Sequence, residues 1–277
     1  MSSQTALTIT GLVDAHVHLK DASGFDCAAS AGISALRDAG FRQNIERGII
    51  KPPKGGSGPV VVSSGWALYR QGGYGSAFGV AVLAPDQIQA EILRLKRAGA
   101  GIIKAMASGM VSFKHPGKVT AGGFSNEELA CIVTVAAAQG LGVMAHANGE
   151  QAILAAASAG VRSIEHGFFM TERALDLMAA KGIFWVPTLV ALRRSAGVSA
   201  APDTTQFVDQ LILSQLSMLR YAHSIGVSLA VGTDCVLPEP AYRAVYDAEI
   251  ELFEQAGIAH EMVIAIASAG GAKLLGL

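Results

Sequence analysis

The sequence predicts an α/β protein, a single (β/α)8 TIM barrel that spans residues 1–277. Three observations support this prediction. Short apolar runs alternate with longer segments of helical spacing, which is typical of parallel strands joined by helices. The length of 277 residues suits one such barrel. The composition, 51% hydrophobic and 16% charged, supplies enough apolar side chains for strands that are buried on both faces.

Eight apolar runs are predicted as strands, because each run is short and is followed by a segment with helical spacing. In such barrels the loops that follow the strands form the active face. The long loops at 65–84 and 108–124 are therefore expected to hold the substrate. The predicted strands cover residues 12–19, 33–38, 60–64, 101–107, 142–147, 162–166, 183–188 and 227–233.

Helices are predicted between these runs. Most of them end at a glycine, the residue that most readily adopts the left-handed conformation at a helix C-terminus. Ser125 and Glu128 have the spacing of a capping box, which marks one helix start. The crossover at 20–32 is barely long enough for a parallel connection, so its helix must be short. The predicted helices cover residues 26–31, 42–48, 85–98, 126–139, 150–159, 172–180, 205–224, 241–256 and 260–275.

Charge and cysteine usage argue against several classes of function. The net charge of -1 gives no basic surface for a nucleic acid. The 3 cysteines are widely scattered, which is typical of a reducing compartment. The first residues lack the features of a signal peptide, and no apolar run reaches the roughly 18 residues of a membrane span. We therefore expect a cytoplasmic protein that acts on a small molecule, with no nucleic-acid or membrane partner.

Metal-binding side chains lie at the ends of the predicted strands. His16 and His18 alternate along the first strand, so they point the same way and can converge on one cation. A lysine lies inside the fourth strand, histidines end the fifth and sixth strands, and an aspartate follows the eighth. These four residues are Lys104, His146, His166 and Asp234. In a barrel all of these side chains reach the same face.

Lys104 is the least expected member of this set. A lysine inside a buried strand is costly unless it is paired or changes its charge state. As an ammonium group it would also repel a divalent cation beside it. Carboxylation of its Nζ would give an anion with two oxygens, able to bridge two metal ions roughly 3.5–4 Å apart.

In order and strand position, these residues resemble the binuclear, carboxylated-lysine members of the metal-dependent amidohydrolase superfamily. Further stretches look like its branch of imidazolonepropionase-related proteins and Xaa-Pro or Xaa-Arg dipeptidases. These stretches are Leu36-Arg37-Asp38-Ala39-Gly40, Ile103-Lys104-Ala105-Met106-Ala107-Ser108-Gly109, Ala145-His146-Ala147-Asn148-Gly149, Ser163-Ile164-Glu165-His166-Gly167 and Val186-Pro187-Thr188-Leu189.

The resemblance implies two divalent metal ions, with zinc as the expected metal. One ion would be held by His16, His18 and Asp234, and the other by His146 and His166. Carboxylated Lys104 and a hydroxide would bridge the two ions. The catalytic residue would be Asp234, acting first as general base toward the attacking water and then as general acid toward the leaving amine.

The expected reaction is hydrolysis of an amide or peptide bond, in a dipeptide or an N-acyl amino acid. The same binuclear site could instead serve a lactonase or a phosphotriesterase. A mononuclear deaminase is a weaker alternative: Glu150 lies four residues after His146, whereas those enzymes have a His-x-x-Glu spacing and lack a counterpart of Lys104. A metal-binding module without catalytic activity is the remaining alternative.

Other polar residues are predicted from their positions in the loops and strands. The candidates for substrate contact are Tyr74 in the loop after the third strand, His115 after the fourth and Arg193 after the seventh. Asp14 is expected on the inward face of the first strand, in a structural hydrogen bond. Glu165 is expected to point outward, away from the metal ions.

Relatives in this superfamily usually add a small β-sandwich, built from segments before the first strand and after the last helix. Here the first predicted strand begins at residue 12 and the chain stops at Leu277, so we expect the sandwich to be absent. An uncovered apolar barrel bottom would then favour a homo-oligomer.

Overall fold

The structure is a computed structural model that describes residues 11–52, 58–199 and 202–277. The first half contains β1 (Leu12–Leu19), α1 (Ser23–Ser30), β2 (Ile33–Asp38), α2 (Asn44–Arg47), β3 (Val60–Ser63), β4 (Ala67–Arg70), β5 (Gly79–Val82), α3 (Pro85–Ala98), β6 (Ile102–Met106) and α4 (Asn126–Ala138). The second half contains β7 (Gly142–Ala147), α5 (Glu150–Ala159), β8 (Ser163–His166), α6 (Glu172–Lys181), β9 (Phe184–Val186), α7 (Leu189–Ser199), α8 (Pro202–Ser224), β10 (Cys235–Leu237), α9 (Tyr242–Gln255), α10 (His260–Ala265) and α11 (Gly271–Leu275).

The named strands pair in parallel, in the orders β10-β1-β2-β3 and β5-β4-β6-β7-β8-β9. Two seams join these groups into a ring. At the first seam, β3 and β4 are consecutive pieces of one barrel strand, since β3 pairs with β2 and β4 with β6. At the second seam, segment 228–234 bonds to β9 on one side and to β1 on the other. Its bonds include Trp185 N to Ser228 O at 2.9 Å and Ala15 N to Val231 O at 2.8 Å.

The closed ring confirms the prediction of a (β/α)8 barrel, and several local features differ from the prediction. The predicted loop at 65–84 contains β4 and β5, and the predicted last helix is interrupted by a π-helical turn at 266–270. The predicted strand at 227–233 is only an irregular hydrogen-bonded segment, and the regular strand β10 follows it. Among the described helices, none combines the length and apolarity needed to cross a lipid bilayer.

Helix α7 was not predicted, and its start explains why. Two backbone N–H groups of its first turn, those of Leu189 and Val190, donate to the carboxyl group of Glu249 at 2.9 and 2.8 Å. Glu249 belongs to α9, so a group distant in the sequence satisfies these donors. This contact between distant residues is not visible in the local sequence.

The face assignment of β1 also needs correction. The pairing of β1 with β2 shifts register between Asp14 and Val17, so strict alternation fails there. Asp14 does not share the inward face with the histidines. It is fully buried against segment 228–234 and α9, where Thr233 Oγ1 donates to it at 2.6 Å and Tyr242 Oη at 2.9 Å. The predicted structural hydrogen bonding of Asp14 is therefore present, but on the opposite face of the strand.

The bottom of the barrel is covered by α11. Leu274 and Leu275 are 1% and 9% exposed, and they pack in one apolar cluster with Val13, Phe184 and Ala230. The expected exposed apolar bottom is therefore wrong for the part of the chain that the structure describes. The described barrel bottom therefore gives no reason to expect a homo-oligomer.

We expect Leu274→Ala to lower the free energy of unfolding by about 2–5 kcal/mol, because the substitution leaves a cavity where α11 meets the barrel. Urea denaturation followed by circular dichroism measures this change. The matched control is Leu213→Ala on α8, where the side chain is 66% exposed and the expected loss is below about 0.5 kcal/mol. Equal losses in the two variants would contradict the described role of α11.

Candidate metal centre

The six predicted metal-binding residues lie together at the carboxyl ends of the barrel strands. Lys104 Nζ is 3.3 Å from His16 Nε2. Asp234 Oδ1 is 3.4 Å from His16 Nε2 and 3.3 Å from His18 Nε2. Asp234 Oδ2 is 4.0 Å from His166 Nδ1. These contacts join residues that are up to 218 positions apart along the chain, from His16 to Asp234.

A metal ion could be held by His16, His166 and Asp234, which offer one ligand atom each within 4.8 Å of one another. His146 lies next to this group, with its ring centroid 4.6 Å from that of His166. All four imidazoles and Lys104 are buried. The centre therefore combines several buried nitrogen donors with one carboxylate.

Each of the four imidazoles is held by one ring nitrogen, which leaves the other nitrogen available as a metal ligand. For His146 the held nitrogen is Nε2, and for the other three histidines it is Nδ1. The protein partners are Glu165 Oε2 for His16 at 2.6 Å, the Gly40 carbonyl for His18 at 2.7 Å, the Gly109 carbonyl for His146 at 3.0 Å and Thr188 Oγ1 for His166 at 2.6 Å.

Glu165 is the one ionisable group among these four partners. Arg37 Nη2 donates to its two carboxylate oxygens at 2.8 and 2.9 Å, and both residues are fully buried. Burial opposes the ionisation of Glu165, but the charge of Arg37 and the hydrogen bond with His16 lower its pKa to about 2. Glu165 is therefore a carboxylate that orients His16.

The prediction that Glu165 points outward is wrong. The φ of His166 is 64°, in the left-handed region, so the alternation of side chains breaks at the end of β8. As a result, Glu165 and His166 both face the barrel interior. Thr188 (φ 49°) and Asp234 (φ 55°) are held in the same backbone region. Such strain costs about 1–3 kcal/mol per residue and is commonly found at functional sites.

Gly232 allows segment 228–234 to approach β1 at this point. A Cβ on Gly232 would lie 2.9 Å from His16 Cβ and 2.5 Å from Val186 Cγ1. A side chain would therefore displace either the segment or His16. The absence of a side chain at this position brings Asp234 within reach of the two histidines of β1.

The electrostatic environment keeps His16, His146 and His166 neutral and Asp234 ionised. Burial lowers the pKa of His16 to about 4 and that of His146 to about 3, and it lowers the pKa of His166 well below its usual value. Burial opposes the ionisation of Asp234, but the neighbouring imidazoles hold its pKa far below the usual range. The nitrogen lone pairs and the carboxylate are thus available to a cation at neutral pH.

Burial lowers the pKa of Lys104 to about 8, although the charges of Glu165 and Asp234 act in the opposite direction. Roughly a tenth of a group with this pKa is an uncharged amine at pH 7. Only the uncharged amine can add to carbon dioxide. The environment of Lys104 therefore favours the carboxylation that the sequence suggested.

A pocket opens above the candidate centre. Beyond the six residues, its walls are formed by aromatic, aliphatic and uncharged polar side chains. These are Tyr74, Phe78, Met106, Met110, Val111, Phe113, Asn148, Phe168, Ala191, Leu192 and Ser195.

Of the three residues predicted to contact substrate, the structure places Tyr74 in the wall of this pocket, 5.1 Å from His146 between ring centroids. His115 is exposed in the loop after β6, and Arg193 is exposed on α7; neither is among the described residues that line the pocket. Arg193 lies on a helix that was predicted as a loop, and the side chains that α7 turns toward the pocket are Ala191, Leu192 and Ser195.

Two residues of the site were missed by the sequence analysis. Asn148 lines the pocket, and its amide lies 3.1 Å from His146 Nε2 and 3.2 Å from the Gly109 carbonyl. Thr188 holds His166. Both signals were present in the sequence, because Asn148 follows the end of β7 and Thr188 follows the end of β9.

Comparison with known proteins gives a family match along most of the chain. The sequence model of the amidohydrolase family matches residues 7–277. An ochratoxinase of Aspergillus niger is 32% identical over 205 residues, which cover 64% of this chain and 42% of that protein. The chain thus spans less than half the length of that relative.

Solved structures are similar over nearly the whole chain. The crystal structure of A. niger ochratoxinase has a TM-score of 0.78 at 26% identity, covering 96% of this chain and 71% of that one. A prolidase complexed with N-methylphosphonate-L-proline has a TM-score of 0.78 at 25% identity, covering 97% and 74%. These similarities agree with the barrel described above.

We expect Glu165→Gln to destabilise the metal-free protein by about 3–5 kcal/mol, because Arg37 would remain buried without its counter-charge. Urea unfolding in the presence of a chelator measures the change. The control is Asp247→Asn, which removes an exposed ion pair with Arg243 and should cost below about 1 kcal/mol. A loss below 1 kcal/mol for Glu165→Gln would contradict the buried ion pair.

The carboxyl group that anchors α7 gives a pH-dependent prediction. Burial raises the pKa of Glu249 to about 8, so between its usual pKa and pH 8 the folded protein binds more protons there than the unfolded chain. The stabilising contribution of this group is therefore complete below about pH 4.5 and is lost as the pH rises to 8. The stability of the native chain should fall relative to Glu249→Gln over that window, by up to about 1.4 kcal/mol per pH unit. If the free energies of unfolding of the two proteins change with pH in parallel, Glu249 is ionised throughout this pH range and the prediction is contradicted.

Proposed function

The chain belongs to the amidohydrolase family, and on this premise we propose that it is a metal-dependent hydrolase that cleaves an amide or peptide bond. The observation that carries the proposal is the arrangement of the four imidazoles. Each is anchored by one nitrogen, and together they surround Asp234 and Lys104 at one end of the barrel. Ochratoxinase and prolidase, as relatives, support an amide or peptide bond as the target.

The donor set fits two divalent metal ions of the zinc type, since neutral imidazoles and carboxylates are usual ligands of zinc. We infer that His16, His18 and Asp234 would hold one ion and that His146 and His166 would hold the other. Metal ions bound there would polarise the scissile carbonyl group and lower the pKa of a water molecule.

Lys104 would contact both ions after carboxylation. In that step the neutral Nζ attacks the carbon of carbon dioxide, one C=O π bond opens onto its oxygen as the N–C bond forms, and the nitrogen releases one proton to solvent. The product is an anion, so a buried ammonium group that would repel cations becomes a ligand. The lowered pKa of Lys104 supports this step.

Asp234 is the proposed proton carrier. It is a carboxylate at neutral pH. Its oxygens lie 3.4 Å from His16 Nε2, 3.3 Å from His18 Nε2 and 4.0 Å from His166 Nδ1. It can accept a proton from the attacking water and deliver that proton to the nitrogen of the leaving amine. The leaving group then departs as a neutral amine.

Tyr74 is the proposed donor to the substrate. Burial raises the pKa of its phenol, so the hydroxyl remains protonated at neutral pH. Its position in the pocket wall beside His146 would allow it to donate a hydrogen bond to the carbonyl oxygen as negative charge develops there.

The alternatives can be ranked from the site. A deaminase would need a glutamate proton shuttle in the pocket, but Glu150 is not among the described lining residues and instead accepts from Thr171 Oγ1 at 3.0 Å. A lactone or a phosphotriester would suit the same donor set. The named relatives favour the amide.

We expect Lys104→Ala to lower kcat/KM for amide hydrolysis by at least about a thousandfold and to reduce the bound metal from two ions per chain. Short carboxylic acids supplied in solution should partly restore activity, because a free carboxylate can occupy the place of the lost group. Metal analysis and steady-state kinetics measure both effects. Lys118→Ala, at an exposed lysine, is the control. Full activity of Lys104→Ala with one metal ion per chain would overturn the proposal.

A further inference from the structure

We propose that the pocket selects amides whose acyl portion is bulky, apolar and uncharged, and that it discriminates against substrates with a free charge beside the scissile bond. This inference rests on the proposed function, since it concerns the same site. It goes further by naming the substrate class, and it favours neutral N-acylated derivatives over free dipeptides with two charged ends.

The composition of the walls is the first argument. Outside the six residues of the candidate centre, no charged side chain is among the described residues that line the pocket. Most of the remaining lining is apolar, and its three polar members, Tyr74, Asn148 and Ser195, are uncharged. A pocket of this composition stabilises an apolar group by removing it from water.

The aromatic contacts around the centre are the second argument. Phe78 lies 4.7 Å from His18 between ring centroids, Tyr74 lies 5.1 Å from His146, and Phe168 lies 5.9 Å from His166. Three of the four imidazoles therefore have an aromatic ring against them. A charged group that entered beside the centre would lose its hydration without gaining a partner from these walls.

The positions of the cationic side chains are the third argument. Lys104 lies at the floor, where it contacts His16. Arg194 on α7 is engaged by Glu239 at 2.6 Å, and Arg70 at the end of β4 is engaged by Glu128 at 3.2 Å. Arginine usually binds a carboxylate through two parallel hydrogen bonds. The described walls of this pocket provide no arginine for such a contact with substrate.

The mouth of the pocket offers a position where this selectivity can be changed. Met110 lines the pocket and is 38% exposed, so its side chain lies where the pocket meets solvent. A longer, charged side chain can be accommodated there without burying its charge in the core. Met262 on α10 is 47% exposed and lies outside the pocket lining, which makes it a matched control.

The experiment compares four 4-nitroanilides that share one scissile bond. They are the 4-nitroanilides of N-acetyl-phenylalanine, N-acetyl-glycine, N-succinyl-phenylalanine and unblocked phenylalanine. We expect kcat/KM for the neutral N-acetyl-phenylalanine compound to exceed each of the other three by at least about tenfold, because a buried apolar group or an unpaired charge changes binding by this order. An equal or higher value for either charged compound would overturn the inference while leaving amide hydrolysis established.

Met110→Arg should raise kcat/KM for the succinyl compound relative to the acetyl compound at least about fivefold, and Met262→Arg should leave this ratio unchanged. An unchanged ratio in both variants would show that the pocket wall does not set the charge preference. If none of the four compounds is cleaved, the proposed function fails on this bond. Calorimetric binding of the same compounds then decides the inference. Tightest binding of N-acetyl-phenylalanine 4-nitroanilide supports it, and equal or tighter binding of a charged compound overturns it.

Discussion

The hydrogen bond between Glu165 and His16 connects the barrel core to the candidate metal centre. Glu165 is ionised because Arg37 lies beside it, and both are buried in the interior of the barrel. His16 in turn lies within 3.4 Å of Lys104 and Asp234. A change in the core below the centre therefore alters the orientation of a proposed ligand, so the stability of the barrel and the geometry of the site are not independent.

The centre is held together at a cost to the protein. At the centre, His166, Thr188 and Asp234 have left-handed backbone conformations, and several ionisable groups are buried close together. Burial lowers the pKa of His16, His146 and His166 and so disfavours their protonated forms. Binding of a cation would stabilise the folded state by mass action, since the unfolded chain does not assemble the same ligands.

The sequence was sufficient to predict the barrel and the group of six residues, because parallel strands bring their carboxyl ends together whatever the intervening helices do. It was insufficient where one residue changes the path of the backbone. The register shift in β1 moved Asp14 to the other face, and the φ of His166 turned Glu165 inward. Helix α7 was missed since its first turn is satisfied by Glu249, a contact between distant residues that local patterns do not show.

We infer that two metal ions bind among these six residues and that a modified Lys104 lies between them. Anomalous X-ray diffraction from crystals grown with zinc and bicarbonate tests this claim most directly. We expect two anomalous peaks, one beside His16, His18 and Asp234 and one beside His146 and His166, with continuous density extending from Lys104 Nζ toward both. A single peak, or two peaks with an unmodified Lys104, would contradict it.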